Sequence, residues 1–148
     1  MPAMDEAALR AFLTASFPST PPPYVVEEAA DWGVRLRLPV SALTERPGGT
    51  VSGPSLMALA DSAAWLAVLA QIGPVALSVT TSLHIDFLRK PAMADVTAEG
   101  RLLKLGRSLA VIAVSMWNTG DGAPGESPLV AQAQVTYFIP PAEASPPR

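Results

Sequence analysis

The chain has 148 residues, of which 49% are hydrophobic and 16% are charged, and its formal net charge is −3 at pH 7. These values predict one globular domain with a substantial core, exclude a disordered chain and give no indication of nucleic-acid binding. The absence of cysteine and the single histidine exclude disulfides, thiolate chemistry and a histidine-rich metal site within one subunit.

The first 23 residues predict a helix followed by a stiff connector. Apolar residues recur at helical spacing within residues 5–17, and acidic residues occupy the first turn. The prolines at 18 and 21–23 end this helix. The charges of Asp5, Glu6 and Arg10 interrupt the apolar stretch that a signal peptide requires, so we predict a cytoplasmic protein.

Two strands follow the connector, at residues 24–30 and 33–40. The Asp31-Trp32-Gly33 link predicts a tight hairpin turn between them. In the second strand valine and leucine alternate with two arginines, which is typical of a strand with one buried face. Residues 41–52 contain Pro47 and two glycines without periodicity, and predict a loop.

Residues 53–73 form a near-continuous apolar stretch that predicts a long helix. It opens with Gly53-Pro54-Ser55 and closes with Gly73-Pro74, which are typical start and stop signals. Because apolar residues occupy every face, we expect protein to wrap the helix on all sides. Its length approaches that of a membrane span, but the central Asp61 makes a buried core helix the better interpretation, and we predict no membrane contact.

The remainder predicts four strands, a loop and a tail. The strands span residues 75–89, 95–105, 108–118 and 129–139, the first being long and bent; residues 119–128 form a loop and residues 140–148 a loose tail. Strands that follow one another without helices predict an antiparallel sheet. A helix that is apolar all round needs a sheet curved around it, and the apolar surface left over predicts a dimer.

Residues 49–63, GTVSGPSLMALADSA, resemble the hotdog-fold thioesterases, specifically the PaaI-like branch named for phenylacetic acid degradation. The family pattern is G-T-x-H-G-G, six mostly apolar residues, aspartate and then small residues. The stretch TSLHIDFLRKP at 81–91 is similar to the family's strand after the helix, and LGRSL at 105–109 is similar to its G-R turn. The matches follow the family's order over roughly residues 24–139.

The resemblance implies an α+β hotdog fold over residues 1–148, in which a curved antiparallel sheet wraps one long central helix. It also implies a homodimer or dimer of dimers with active sites at the subunit interface. The implied activity is hydrolysis of a small, medium-chain or aryl acyl-CoA. Water is the second substrate of this reaction, so no metal or organic cofactor is expected.

By the same resemblance, the Gly53 N–H polarises the thioester carbonyl, and Asp61 of another subunit is the general base for water or the nucleophile. A helix start offers unpaired N–H groups and the positive end of the helix dipole. Eight residues of helix separate Gly53 from Asp61 by about 12 Å. One chain therefore cannot easily bring both groups to one carbonyl, whereas two subunits can.

Three positions depart from the family pattern. Ser52 replaces the histidine, Pro54 replaces the second glycine, and Arg46 lies near the position of a common asparagine. Ser52 still offers a hydrogen bond at the catalytic helix start, whereas Pro54 lacks an N–H. These departures favour an alternative, a non-catalytic acyl-CoA-binding hotdog protein. A third hypothesis is an inert dimeric module in which Asp61 only satisfies a core partner.

Further residues are candidates for substrate contacts. Trp65 lies one turn after Asp61 and lines either the acyl pocket or the dimer core. Thr81 and Arg89 belong to the matched strand. The last candidates are the turn residues Gly106, Arg107 and Ser108, which suit the phosphates of CoA. The alternative is that the basic residues of this region are ordinary solvated charges.

His84 and Asp86 lie two residues apart on one strand face, and we interpret them as a surface or interface pair rather than a proton-transfer pair. Because His84 lies mid-strand, a serine nucleophile at Ser52 is disfavoured.

Overall fold

The computed structural model describes residues 2–40, 45–46, 49–75, 77–120 and 127–141. The parts of the predicted loops and tail at 41–44, 47–48, 121–126 and 142–148 lie outside the described residues. The elements run in the order α1 (Glu6–Ser16), β1 (Val25–Ala30), β2 (Gly33–Leu38), β3 (Glu45–Arg46), β4 (Thr50–Val51), α2 (Gly53–Ile72), β5 (Val79–Phe87), β6 (Val96–Leu105), β7 (Leu109–Asn118) and β8 (Ala131–Phe138).

Six strands form one antiparallel sheet in the order β1-β2-β6-β7-β8-β5. The long helix α2 packs against one face of this sheet and contacts each of its strands. This arrangement confirms the predicted hotdog fold, a long central helix held by a curved antiparallel sheet. The predicted loop at 41–52 contains one difference, a two-residue ladder between β3 and β4.

Helix α2 begins and ends where its sequence signals predict. Ser52 is the N-cap, with extended backbone angles, and its hydroxyl oxygen accepts a hydrogen bond from the Ser55 N–H at 3.3 Å. Pro54 occupies the first turn, and Gly73, with φ of 94°, ends the helix. By length and a mean hydropathy of 1.5, α2 is suited to cross a membrane, but more than half of it is buried inside this protein.

The expectation that α2 is wrapped on all sides is wrong for a single protomer. Pro54, Met57 and Ala58 are exposed, while Asp61 and Trp65 are half-buried. These positions recur every three to four residues and therefore form one stripe along the helix. The sheet covers only the opposite side of α2, and α1 reaches only its C-terminal half, where the Met4 N–H donates to the Ala70 carbonyl oxygen.

The two edges of the sheet differ. At the β1 edge, α1 covers the strand: the Arg10 guanidinium donates to the Val26 carbonyl oxygen at 3.0 and 2.6 Å, and Glu6 accepts from the Ala29 N–H at 3.3 Å. At the other edge, no strand of the described residues lies outside β5. The side chains of Val79 and Phe87, at the two ends of β5, are 55% and 52% exposed. An open, partly apolar edge of this kind favours pairing with another strand.

The backbone of β6 approaches the backbone of α2 closely at Gly100. A Cβ atom placed on Gly100 would lie 2.9 Å from the Ala63 carbonyl oxygen and 3.2 Å from its carbonyl carbon. Both atoms belong to backbone and cannot rotate away. The helix therefore lies at this distance from the sheet because residue 100 has no side chain.

We expect Gly100→Ala to lower the free energy of unfolding by about 1–3 kcal/mol, because the added methyl group pushes α2 off the sheet. Gly53→Ala is the matched control, since its Cβ would meet only the Phe87 ring at 3.5 Å, an ordinary contact. Urea denaturation followed by circular dichroism measures both. Equal stability of the two variants would contradict the close-approach explanation.

A second prediction concerns Asp95, which accepts hydrogen bonds from the Val40 N–H at 2.9 Å and from Arg37 at 3.0 Å. The hydrogen bond from the Val40 N–H is the largest influence that lowers the pKa of Asp95 below its usual value of 3.8, and the interaction with Arg37 lowers it further. A lowered pKa contributes stability above pH 3.8 that is lost as the pH falls through the folded-state pKa. We expect Asp95→Ala to destabilise the protein by about 1 kcal/mol at pH 7.

The difference between wild type and Asp95→Ala should shrink when urea denaturation is repeated below about pH 4. A difference that stays constant between pH 7 and pH 3 would show that the ionised carboxylate does not provide this stability.

Candidate active site

Asp61 lies in the third turn of α2 and is half-buried. Its Oδ1 atom accepts hydrogen bonds from the Thr80 hydroxyl at 2.7 Å and from the Tyr137 hydroxyl at 2.9 Å. None of the described residues donates a hydrogen bond to Oδ2 or forms an ion pair with the carboxylate. The partners of Asp61 are thus two neutral hydroxyls on one oxygen, and the second oxygen retains its capacity to accept a proton or attack a carbonyl carbon.

The hydroxyls around Asp61 remain protonated at neutral pH. Burial raises the pKa of Tyr137 well above its usual value of 10.0; the hydrogen bond with Thr80 acts in the opposite direction, and the charge of Asp61 raises the pKa further. Burial likewise raises the pKa of Tyr24, against a hydrogen bond with Ser62 and with a smaller contribution from Asp61. Tyr137 is therefore a reliable hydrogen-bond donor to the carboxylate.

A cavity of about 300 Å³ opens beside Asp61. Trp65 forms part of its wall, and the Trp65 ring packs against Phe12 and Phe17 of the N-terminal segment, with ring centroids 5.6 and 6.4 Å away. The α1 segment thereby fixes the wall of this cavity. The lining residues are Asp61, Ser62, Trp65, Ser78, Val79, Thr80 and Tyr137.

The first turn of α2 offers one backbone donor. Pro54 has no N–H, the Ser55 N–H donates to the Ser52 hydroxyl oxygen, and the Leu56 N–H donates to the Ser52 carbonyl oxygen at 3.2 Å. The Gly53 N–H has no acceptor within the helix, and none of the described residues accepts it elsewhere. It lies at the positive end of the helix dipole, which suits a developing negative charge on oxygen.

A second cavity, of about 730 Å³, lies at this helix start. Gly53 and Pro54 line one side, and the end of β5 with the residues after it lines the other, including Phe87, Arg89 and Lys90. The two basic side chains give the cavity a positive rim.

Within one protomer the two cavities lie at opposite ends of β5. Val79 and Thr80, where the strand begins, line the Asp61 cavity, and Phe87, where it ends, lines the Gly53 cavity. The cavities share no lining residue, and nine residues of strand span about 26 Å. The carboxylate and the backbone donor of one chain therefore cannot both contact one carbonyl group.

Thr81 lies outside both cavities, and the neighbouring Thr80 takes the inward position. The pairing of β5 with β8 shifts between Thr80 and Ser82, so Thr81 is the extra residue of a bulge, and its hydroxyl donates to the Thr136 carbonyl oxygen at 3.2 Å. Regular alternation back from Phe87 through Leu83 predicts Thr81 on the inner face. The bulge turns Thr80 inward in place of Thr81, and no clear signal in the sequence marks the position of the bulge.

The other predicted residues are distributed as follows. Ser52 caps α2 beside Gly53. Arg46 pairs with Thr50 in the β3–β4 ladder, and its side chain lies outside the described residues. The Gly106–Ser108 turn joins β6 to β7 at the Val79 end of the sheet, far from Gly53 in the same protomer.

His84 and Asp86 form an exposed pair at 3.0 Å, as expected of a surface pair. Within the described ranges no three His, Asp or Glu side chains are grouped to hold a metal ion.

Sequence reasoning did not identify Thr80 or Tyr137 as partners of Asp61. Tyr137 lies two residues after Val135 on the alternating strand β8, so the sequence indicates that it faces inward. Which residue of α2 it meets depends on strand register and on where the helix lies over the sheet, and neither is encoded in a local pattern.

Comparisons with known proteins agree that this chain is similar to thioesterases and esterases. Residues 48–125 match the sequence model of the thioesterase superfamily. A candidate esterase of Halobacterium salinarum is 35% identical over 141 residues, which cover 92% of this chain and 87% of that protein. The crystal structure of a candidate thioesterase from Silicibacter sp. TM1040 is 41% identical, covers 95% of both chains and superposes with a TM-score of 0.84.

A more distant structure is that of a hypothetical thioesterase from Streptococcus pneumoniae TIGR4 with coenzyme A. It is 24% identical, has a TM-score of 0.66 and covers 79% of this chain and 85% of its own, and this likeness shows the shared fold.

Proposed function

The chain belongs to the thioesterase superfamily and is a thioester hydrolase, and on that premise we propose that it hydrolyses acyl-CoA esters at sites shared between two subunits. One observation carries this proposal. The Asp61 carboxylate and the Gly53 N–H, which supply the two halves of the chemistry, line separate cavities at the two ends of the open edge strand β5.

An antiparallel pairing of two β5 strands about Leu83 completes the site. The two-fold axis brings the Val79 end of one strand beside the Phe87 end of its partner, so the Asp61 cavity of one subunit meets the Gly53 cavity of the other. The exposed stripe of α2 lies on the same side of the sheet and is covered in such a dimer. Each dimer then carries two equivalent composite sites, and a dimer of dimers carries four.

The reaction uses the free Oδ2 of Asp61. As a general base, Oδ2 takes a proton from water while the water oxygen attacks the carbonyl carbon; the carbon–sulfur bond breaks, and the proton passes to the CoA sulfur. As a nucleophile, Oδ2 attacks the carbonyl carbon itself, CoA leaves, and water hydrolyses the mixed anhydride. On either route the Gly53 N–H stabilises the oxyanion, and Ser52 holds the helix start that presents this donor.

Basic residues near the Gly53 cavity suit the phosphates of CoA. Arg89 lines that cavity beside Lys90, and Arg46 is paired through its backbone with Thr50 on the cavity wall. In the proposed dimer, the Gly106, Arg107 and Ser108 turn of the partner lies toward the same end and extends this surface. The distant Streptococcus pneumoniae relative with coenzyme A supports CoA as the ligand class.

The acyl group is assigned to the cavity between Asp61 and Trp65. Its volume of about 300 Å³ suits a short, medium-chain or aryl acyl group. Pro54, on the exposed stripe of α2, and Thr81, beside the inward-facing Thr80, contribute to the surroundings of the thioester in this arrangement.

The second candidate function is non-catalytic binding of acyl-CoA. One observation favours it: Ser52 and Pro54 leave the first turn of α2 with a single available N–H, whereas a glycine at position 54 would supply another. The free Oδ2 and the available Gly53 N–H favour hydrolysis. An inert module is disfavoured because such a module has no use for either group.

We expect thiol release from a panel of short, medium-chain and aryl acyl-CoA esters, reduced about 10²–10⁴-fold in Asp61→Asn and Asp61→Ala. Both variants should keep the wild-type circular dichroism spectrum. Turnover that survives both substitutions would overturn the role of Asp61. Absent turnover, together with a melting temperature raised by CoA esters, would favour the binding protein.

The donor at Gly53 is tested by a matched pair of variants. Gly53→Pro removes the N–H, and Ser52 already has the extended angles, φ −70° and ψ 149°, that a following proline requires. Because the new proline would precede Pro54 in the first helical turn, circular dichroism and the melting temperature first establish that α2 is intact in this variant. Gly53→Ala keeps the N–H. We expect kcat to fall about 10²–10³-fold in the proline variant and much less in the alanine variant.

Mixing Asp61→Asn chains with Gly53→Pro chains tests the shared site. Each mixed dimer combines the intact Asp61 of one chain with the intact Gly53 of the other, so random exchange restores about a quarter of wild-type activity. A site contained within one chain would remain inactive in every mixture. Size-exclusion chromatography with light scattering establishes that the mixed chains assemble.

A further inference from the structure

We propose that Tyr137 is a positioning residue of the hydrolysis, whose hydroxyl holds Asp61 in the orientation that presents Oδ2 to the substrate. This inference rests on the proposed function. Tyr137 lies near the end of β8, and only 4% of the residue is exposed. Its hydroxyl lies 2.9 Å from Asp61 Oδ1 and 3.2 Å from the Asp61 carbonyl oxygen.

The geometry makes Tyr137 part of a two-donor clamp. Tyr137 and Thr80 are cross-strand partners in the β5–β8 ladder. The regular alternation of β8 turns Tyr137 toward α2, and the bulge at Thr81 brings Thr80 to the same face. Both hydroxyls reach the same carboxylate oxygen, so rotation of the carboxylate about its Cβ–Cγ bond breaks two hydrogen bonds at once. The clamp therefore fixes which oxygen faces the cavity.

Among the described residues, the clamp supplies the side-chain hydrogen bonds that the Asp61 carboxylate accepts. No lysine, arginine or histidine of the described residues forms an ion pair with Asp61. The titratable groups facing Asp61 are Tyr137 from β8 and Tyr24 from the chain before β1, and of these two only Tyr137 donates a hydrogen bond to the carboxylate. The direct support of the charge is thus Tyr137 and Thr80.

The competing explanation is structural. In this explanation the Tyr137 hydroxyl, which also lies 3.2 Å from the Asp61 backbone carbonyl oxygen, serves only to attach α2 to β8. A purely structural contact would affect thermal stability, but it would not lower the kcat of the folded enzyme at unchanged KM, and its effect would not depend on the Asp61 carboxylate. The two explanations therefore predict different kinetic constants for a variant that lacks the hydroxyl.

The test is Tyr137→Phe, which keeps the buried ring and removes the hydroxyl. We expect kcat to fall about tenfold or more with KM little changed, since the carboxylate loses one of the two donors that orient it. Tyr24→Phe is the matched control: it removes a half-buried hydroxyl from the same cluster and should keep the wild-type kcat. An unchanged kcat in Tyr137→Phe would overturn the proposal.

Two further measurements separate this inference from the proposed function. In an Asp61→Asn background, Tyr137→Phe should no longer change the residual kcat, whereas a full additional loss would place Tyr137 outside the Asp61 unit and overturn the inference. NMR of protein labelled with ¹³C at aspartate carboxyls reports the same clamp without turnover: at pH 7 the Asp61 carboxyl resonance should shift in Tyr137→Phe and stay in place in Tyr24→Phe. An unchanged resonance in Tyr137→Phe overturns the clamp even where activity is retained, and wild-type protein without turnover on any ester overturns the proposed function and the catalytic role together.

Discussion

A rigid helix keeps apart the two groups to which the proposed function assigns the chemistry. Eight residues of α2 separate the Gly53 N–H from the Asp61 carboxylate by about 12 Å, and the core packing around α2 leaves no way to shorten that distance within one chain. Other features of the protomer agree with this constraint. The edge of β5 is open between the two cavities, and one stripe of α2, including Met57 and Ala58, is uncovered. Under the proposed function, a protomer built in this way needs a second copy to form one complete site.

Much of the fold was predictable from local patterns. The caps of α2, the two-residue turn before β2 and the alternation along β2 each follow from residue types whose effects act within one turn or one strand. The wrapping of α2 was predicted wrongly because periodicity shows that a face is apolar and not which chain covers it. A surface buried by the protomer's own sheet and a surface reserved for a partner have the same sequence pattern.

The candidate site was predictable only in part, for related reasons. Gly53 and Asp61 belong to one contiguous motif, so the sequence alone gives the spacing between them. The hydroxyls on Asp61 come from β5 and β8, which are distant in sequence and are brought together by register and by one inserted residue at Thr81. A bulge changes the face of every residue on one side of it, and no residue type marks its position here. Local patterns therefore identified Asp61 but not the Thr80 and Tyr137 hydroxyls that donate hydrogen bonds to it.

The covered edge at β1 has a consequence for how large an assembly can grow. Arg10 and Glu6 already bond to outward-facing backbone groups of that strand, so a sheet that extends through β5 has no second open edge to offer within the described residues. In the proposed dimer, addition of strands stops after two copies, and end-to-end polymerisation into fibres is blocked by two side chains of α1. In that proposed assembly, loss of those two contacts would open the β1 edge to a further strand, so α1 limits the growth of the sheet independently of the active site.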